Sequence, residues 1–237
     1  MREYKIMIDR IPAIVYGEAS ENCYLFIHGK QGFKEEAESF ARIAVPKGWQ
    51  VLSIDLPEHG ERKMEKDRFN PWCVVPELKM VLQYMRQHWT VAALRANSIG
   101  AWFAMQSFCG LEFVKCLFVS PVLDMEKLIQ NMMQWAAVSE ERLETESLIP
   151  TDFGETLSWD YYKYAKAHPV VEWQCRTDIL YAEHDQMTSR DTVTDFAERF
   201  HASLTVMKDG EHWFHTPEQV DVMNKWTEEC VQVLGKN

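Results

Sequence analysis

The chain predicts an α/β fold: a mostly parallel central sheet with helices on both faces and a small helical cap inserted in its second half. Three observations carry this reading. From about Tyr24 onward, short apolar runs alternate with helical patterns, and parallel strands need a helix-length connection between them. The segments with chemical content follow the carboxyl ends of those runs, where open parallel sheets bind ligands. Between Ser120-Pro121 and Thr177 the rhythm breaks for over fifty residues, too many for a simple crossover.

Taken in order, the alternating segments around Tyr4 to Ile8 and Pro12 to Tyr16 predict a hairpin at the sheet edge. Strands are expected near Tyr24 to Ile27, Val51 to Ile54, Val91 to Leu94, Leu117 to Val119, Ile179 to Ala182 and Leu204 to Met207. Between and after them, helical patterns fall near Glu35 to Ala44, Pro76 to His88, Ser98 to Cys109, Val193 to Phe200 and Pro217 to Leu234. The long interval, Asp124 to about His168, is read as a cap within a single domain spanning residues 1–237. Met125, Leu128, Ile129, Met132, Met133 and Ala136 share one helical face there, and Leu157, Trp159, Tyr161, Tyr162 and Tyr164 form a second cluster. Both stripes fit glue between cap and body. They also fit an acyl pocket, for which Met132, Trp135 and Trp159 are the candidate substrate contacts.

The 237 residues are 46% hydrophobic and 26% charged, without a Gly/Ser/Pro-rich linker or a repeat, as in a globular protein. A formal charge of −11 disfavours an extended nucleic-acid or anionic-membrane surface, and a neutral or weakly charged small substrate is expected. No apolar run approaches a bilayer span. The first ten residues alternate charge with apolar side chains, unlike a secretion signal, so a cytoplasmic location is expected. Six scattered cysteines are expected to be reduced, and neither they nor the eight histidines are spaced for a metal. No cofactor is expected, and the oligomeric state is left open.

Ala96-Asn97-Ser98-Ile99-Gly100 stands between a strand-like run and a helix-like run, as a nucleophile elbow does. Such a turn lifts a serine hydroxyl clear of the sheet and requires small flanking residues, because strand and helix pass close together. Cys23 to Ile27 ends in the glycine-bearing turn His28-Gly29-Lys30-Gln31-Gly32-Phe33, which lets backbone N–H groups face a bound carbonyl oxygen. The backbone N–H groups of Lys30 and Ile99 are the candidate oxyanion donors. Thr177 to Asp185 delivers an acid and Leu204 to His212 a histidine, giving the chain order Ser, Asp, His.

These segments, with Asp55-Leu56-Pro57-Glu58-His59-Gly60-Glu61-Arg62 and Gly210-Glu211-His212-Trp213-Phe214, resemble the α/β-hydrolase-fold serine hydrolases from about Ile11 to the last helix. The resemblance implies Ser98 as nucleophile, Asp185 as acid and His212 as base. His215 competes for the last role but abuts a helix start in which Thr216 caps, Pro217 opens and Gln219 closes a capping box. Asp124 competes with Asp185, because some relatives draw their acid from the preceding strand. Glu183 and His184 are read as strand-end residues turned away, and Glu58 and His59 as turn residues with a structural task. Arg95 is unusual in a buried strand and calls for a carboxylate partner. The Lys30 side chain is expected to reach solvent, or to favour an anionic substrate if it leans over the site.

The expected function is a carboxylesterase acting through an acyl-enzyme on small or medium acyl esters. An acyl thioesterase or an aminopeptidase of the same fold is the alternative within the chemistry. A non-catalytic binding protein on a hydrolase scaffold is the alternative outside it.

Overall fold

The computed structural model describes residues 1–108, 110 and 113–231. Cys109 and the end of the last expected helix, near Leu234, lie outside these described residues. The chain opens with the hairpin β1 (Glu3–Ile8) and β2 (Ile11–Tyr16), followed by β3 (Asn22–Ile27), α1 (Ala37–Ala44), β4 (Gln50–Ile54), α2 (Pro71–His88), β5 (Val91–Asn97), α3 (Ile99–Phe108) and β6 (Cys116–Val119). The long interval contributes α4 (Met125–Trp135), α5 (Glu140–Glu146), the two short strands β7 (Leu148–Pro150) and β8 (Thr156–Ser158), and α6 (Trp159–Ala167). Then come β9 (Thr177–Ala182), α7 (Arg190–Phe200), β10 (Ser203–Met207) and α8 (Pro217–Cys230).

Among the described residues, eight strands form one sheet in the order β1-β2-β4-β3-β5-β6-β9-β10. β1 with β2 and β2 with β4 pair antiparallel, and the other pairings are parallel. This is the mostly parallel sheet that the alternation requires. β5 lies in the middle, with Arg95 opposite Phe26 on one side and Leu117 on the other.

Each face of the sheet carries its own core. One core packs Leu25, Leu94 and Phe118 against residues of α2, α3 and the inserted segment. The other packs Tyr24, Phe26, Ala93, Leu117 and Val119 against Phe40 of α1 and Trp226 of α8. Burying side chains of this size stabilises by about 1.5–3 kcal/mol each, so both faces are strongly determined by strand alternation. Alternation also puts Arg95, two residues after Ala93, on the α1/α8 face.

Two boundaries differ from the sequence reading. α2 starts at Pro71, five residues before the expected Pro76, because Asn70 accepts a hydrogen bond from the Cys73 N–H and Pro71 takes the first helical position. The inserted segment also contains the β7/β8 hairpin. Strands of three residues are too short to show a period in sequence.

The inserted aromatics hold the segment to the body. The Tyr161 ring stacks on Trp102 of α3 at 5.8 Å between centroids, and Trp72 of α2 meets Tyr161 edge-on and Tyr164 at a tilt. Of the two readings of that cluster, glue is the one these contacts match.

Candidate active site

Ser98 sits between β5 and α3 with a φ of 50°, the left-handed region that an L-residue occupies only under constraint. Its surroundings supply that constraint. The Ser98 N–H donates to the Val119 carbonyl, and the Ser98 carbonyl accepts from the Ala101 and Val122 N–H groups. The small neighbours have equally direct causes. A Cβ on Gly100 would stand 2.5 Å from the His28 carbonyl oxygen, and one on Gly29 would stand 3.1 Å from the Ser98 Cβ.

The Ser98 hydroxyl lies 2.8 Å from His212 Nε2, and His212 Nδ1 lies 2.8 Å from Asp185 Oδ2. The Asp185 carboxylate is shielded from solvent, and its other oxygen accepts from the Met187 and Thr188 N–H groups at 2.8 and 3.1 Å. An acceptor-only carboxylate beside Nδ1 fixes the proton of a neutral imidazole there and leaves Nε2 as acceptor for the serine proton. Lys30 and Ile99 flank the serine on either side, through the loop after β3 and the first turn of α3. Neither N–H donates to a protein acceptor among the described residues, so both are free for an oxygen at Ser98.

Two histidines hold the loop that presents Lys30. His28 Nε2 accepts from the Leu56 N–H at 3.1 Å, while its Nδ1 donates to the Gly29 carbonyl at 2.7 Å. His59 repeats the arrangement, accepting from the Gln31 N–H at 2.9 Å and donating to the Pro57 carbonyl at 2.7 Å. Both rings must be neutral for this. Burial pushes His28 down to about 4 and lowers His59 as well. Behind them Asp55 accepts from both the backbone N–H and the ammonium of buried Lys34, and a Cβ on Gly60 would collide with its carboxylate. Sequence reasoning gave His59 a structural task without finding its partner and missed Lys34. A lysine one residue past a glycine turn carries no sign of burial in sequence.

The competing residues are engaged elsewhere. Asp124 caps α4 through the Lys127 N–H, and Glu58 accepts from the Arg68 and Phe69 N–H groups. The His215 Nδ1 donates to the Trp213 carbonyl, and its backbone N–H donates to Gln219. Thr216 caps α8 as expected, but Gln219 reaches back one residue further than a capping box would. Glu183, His184 and Asp209 bring three metal-ligand types within 4.8 Å of one another, all exposed and outside the Ser98 cavity. The Lys30 ammonium pairs with Glu155 of the inserted segment.

A cavity of about 710 Å³ opens onto Ser98 and His212. It runs between the sheet, the loop after β3, α1 and α8, and its lining includes Glu36, Phe40, Arg95, Asn97, Ser120 and Thr227. No residue of 124–168 lines it, which corrects the expected apolar cap pocket. Met132 packs against the α2/α3 core. Trp159 packs there too and meets the Tyr162 ring at 5.8 Å. Trp135 is 50% exposed, edge-on to Phe153. The inserted helices lie on the α2/α3 face of the sheet, whereas the cavity enters the opposite face.

No protein-family model and no curated protein sequence matches the chain. Solved structures do. Est1E from Butyrivibrio proteoclasticus, with ferulic acid bound, superposes with a TM-score of 0.76 at 15% identity over 95% of this chain and 96% of its own. The mouse alpha/beta hydrolase domain-containing protein 10 gives 0.72 at 11% identity over 97% and 98%. The Pyrococcus furiosus esterase Pf2001 gives 0.64 at 14% identity over 96% and 88%. With the sheet order, the elbow and these near-complete superpositions together, the chain has the α/β-hydrolase fold.

Proposed function

We propose that the protein is a serine hydrolase that cleaves carboxylic esters through an acyl-enzyme. The observation that carries this is the unbroken line of hydrogen bonds from Ser98 Oγ through His212 to a solvent-shielded carboxylate, both at 2.8 Å. In that line His212 Nε2 takes the serine proton as Oγ attacks the ester carbonyl, and Asp185 stabilises the imidazolium that results. The carbonyl oxygen, now negative, is met by the Lys30 and Ile99 N–H groups. Collapse expels the alcohol, which leaves with the proton from His212. Water then attacks the acyl carbonyl as His212 takes its proton, and collapse breaks the bond to Ser98 Oγ, which recovers that proton from His212 as the acid departs. Preorganised donors of this type are worth about 3–4 kcal/mol each in comparable sites.

A thioester meets the same attack at the same carbonyl, so the chemistry extends to it. An aminopeptidase reading and a non-catalytic reading find less support, since a strained serine aligned on a correctly oriented histidine is an arrangement for acyl transfer.

A fluorophosphonate probe is expected to add once, at Ser98, and Ser98→Ala should abolish labelling without unfolding the protein. A panel of 4-nitrophenyl esters, acyl thioesters and aminoacyl anilides ranks the substrates. Labelling that persists in the alanine variant overturns the reading.

A further inference from the structure

Arg95 is 3% exposed in the central strand of the sheet, and among the described residues no carboxylate pairs with it. The expectation from sequence was the reverse, since a buried guanidinium without a countercharge is costly. What surrounds it is incomplete. Its Nε donates to Asn97 Oδ1 at 3.1 Å, while the nearest acceptors for its terminal nitrogens are Thr227 Oγ1 and the weakly accepting Met223 Sδ, both at 3.5 Å. A guanidinium has five N–H bonds, so part of this fork finds no protein acceptor. Phe40 and Trp226 hold it at 5.6 Å from each ring centroid, which fixes its position without neutralising it.

That fork lines the cavity that opens onto Ser98. A second buried polar group lines the same cavity: Ser120, 2% exposed, whose hydroxyl has no hydrogen-bond partner. Asn97 also lines it, and because its carbonyl oxygen is taken by Arg95 its amide is left to donate. The guanidinium and the amide have N–H to give at the cavity that opens onto Ser98, and the unpartnered Ser120 hydroxyl is buried in its wall. Acceptor-rich, negatively charged groups satisfy such a set, and a planar fork suits the two oxygens of a carboxylate or phosphate.

We propose that Arg95, with Ser120 and Asn97, binds an anionic group of the substrate, so that this enzyme acts on esters whose acyl part ends in a carboxylate or an equivalent oxyanion. The Arg95 Cα lies three residues before Ser98 in β5, a span of ~10 Å along an extended strand. That backbone span, shortened by the reach of the Arg95 side chain toward Asn97, limits the acyl lengths that can place the anion at the guanidinium and the carbonyl at Ser98. Glu36 is the acidic residue in the lining, and it neither pairs with Arg95 nor makes a hydrogen bond to it. The inference rests on the esterase reading for the position of the scissile bond, but not for the anion site itself.

The test therefore has two arms. In the first, kcat/KM is measured for 4-nitrophenyl half-esters of a graded series of linear dicarboxylic acids, and for the same compounds with the free acid capped as a methyl ester. The wild type should prefer the anionic member at the optimal length at least tenfold. Arg95→Met should abolish that preference while leaving the capped esters within about threefold of wild type, and Arg95→Lys should retain part of it. In the second arm, free dicarboxylates should raise the Tm of Ser98→Ala and should leave that of Ser98→Ala/Arg95→Met unmoved. The Arg95→Met variant alone should melt no lower than wild type, because it removes an uncompensated buried charge.

Turnover of both ester sets with equal preference in wild type and Arg95→Met overturns the anion site and leaves the esterase standing. Ligand-dependent stabilisation without turnover of any ester overturns the esterase and leaves the anion site. A large fall in the Tm of ligand-free Arg95→Met shows that Arg95 serves the fold, and overturns the proposal.

Discussion

Replacing Asp185 by Asn tests the proton path at its most sensitive joint. One Asp185 oxygen is held by the Met187 and Thr188 N–H groups at 2.8 and 3.1 Å, and the other faces His212 Nδ1 at 2.8 Å. An asparagine has a single oxygen, and two backbone donors compete for it against one imidazole. The oxygen goes to the backbone, so the amide NH2 is turned toward His212. Nδ1 must then accept, its proton moves to Nε2, and Nε2 donates to the Ser98 hydroxyl that it should deprotonate. A reversed tautomer of this kind costs ~10⁴-fold in turnover in serine proteases, equivalent to about 5 kcal/mol of barrier. Packing changes little, so the Tm should stay within a few degrees of wild type. The assay is kcat/KM on a short neutral 4-nitrophenyl ester beside a thermal melt. Asp124→Asn, which alters only the cap of α4, is the control and should keep nearly full activity. A loss under tenfold in folded Asp185→Asn, or an equal loss in Asp124→Asn, refutes the assignment.

Three further outcomes follow from the same geometry. His28 binds its proton near 6.5 in an unfolded chain but only near 4 in the fold, where burial holds it neutral. Between those values the unfolded state carries more protons, so stability should fall as pH falls, by about 3 kcal/mol across the window. Chemical denaturation from pH 7 to 4 measures this, and His28→Gln, which keeps an acceptor but does not titrate, should flatten the slope. Burial pushes the Glu36 carboxyl up to about 7 at the cavity that Lys30, Arg95 and His212 also line. It gains its negative charge as pH rises through that value. KM for an anionic half-ester should therefore climb more than KM for its capped partner across neutrality, and Glu36→Gln should remove the difference. Met132→Ala, Trp135→Ala and Trp159→Ala should leave the preferred acyl length unchanged, whereas Phe40→Ala or Met223→Ala, both at the cavity wall, should shift it.

The parts of the site legible in sequence are those built from short stretches of chain. The elbow announces itself within five residues because Gly100 and Ser98 answer to one local constraint, the close passage of α3 over the loop after β3. Asp185 and His212 each follow a strand by a few residues, so their placement needs only the strand order. The cavity was hidden because its walls come from α1, β5, β6 and α8, segments that meet only through the topology of the sheet. The inserted segment misled in the opposite direction. A Met-rich helical face and a Tyr/Trp cluster have the composition of a ligand pocket, but they pack into the core on the other face of the sheet, where Tyr161 meets Trp72 and Trp102. Composition does not distinguish these uses, because both are rewarded by the same removal of apolar area from water. Arg95 was visible as an anomaly. The rule that a buried charge has a partner led to a search for an acidic side chain within the chain, whereas the structure leaves the fork facing a cavity.

The formal charge of −11 argued for a neutral or weakly charged substrate, and the cavity argues for an anionic one. Distance decides between them. In physiological salt the potential of a surface charge is largely screened beyond about 8 Å, so acidic residues spread over the exterior slow the approach of an anion without setting its energy inside an enclosed site. Within the cavity the nearest charges dominate, in a medium where each is worth several times its value in water. Arg95 sits there without a carboxylate paired to it, three residues before Ser98 on the strand that leads into the elbow. Because β5 is central and hydrogen-bonded on both edges by β3 and β6, the Arg95 backbone is fixed relative to the elbow, and Asn97, Phe40 and Trp226 hold the guanidinium in place. A loop-borne cation such as Lys30 would hold an anion at a variable distance and add little to selectivity for chain length. On the proposed reading, a cation on the strand that leads into the elbow at Ser98 restricts the distance from anion to carbonyl. On the proposed reading the cost of burying Arg95 without a paired carboxylate falls on the free protein, and an anionic substrate relieves it as its ester meets Ser98.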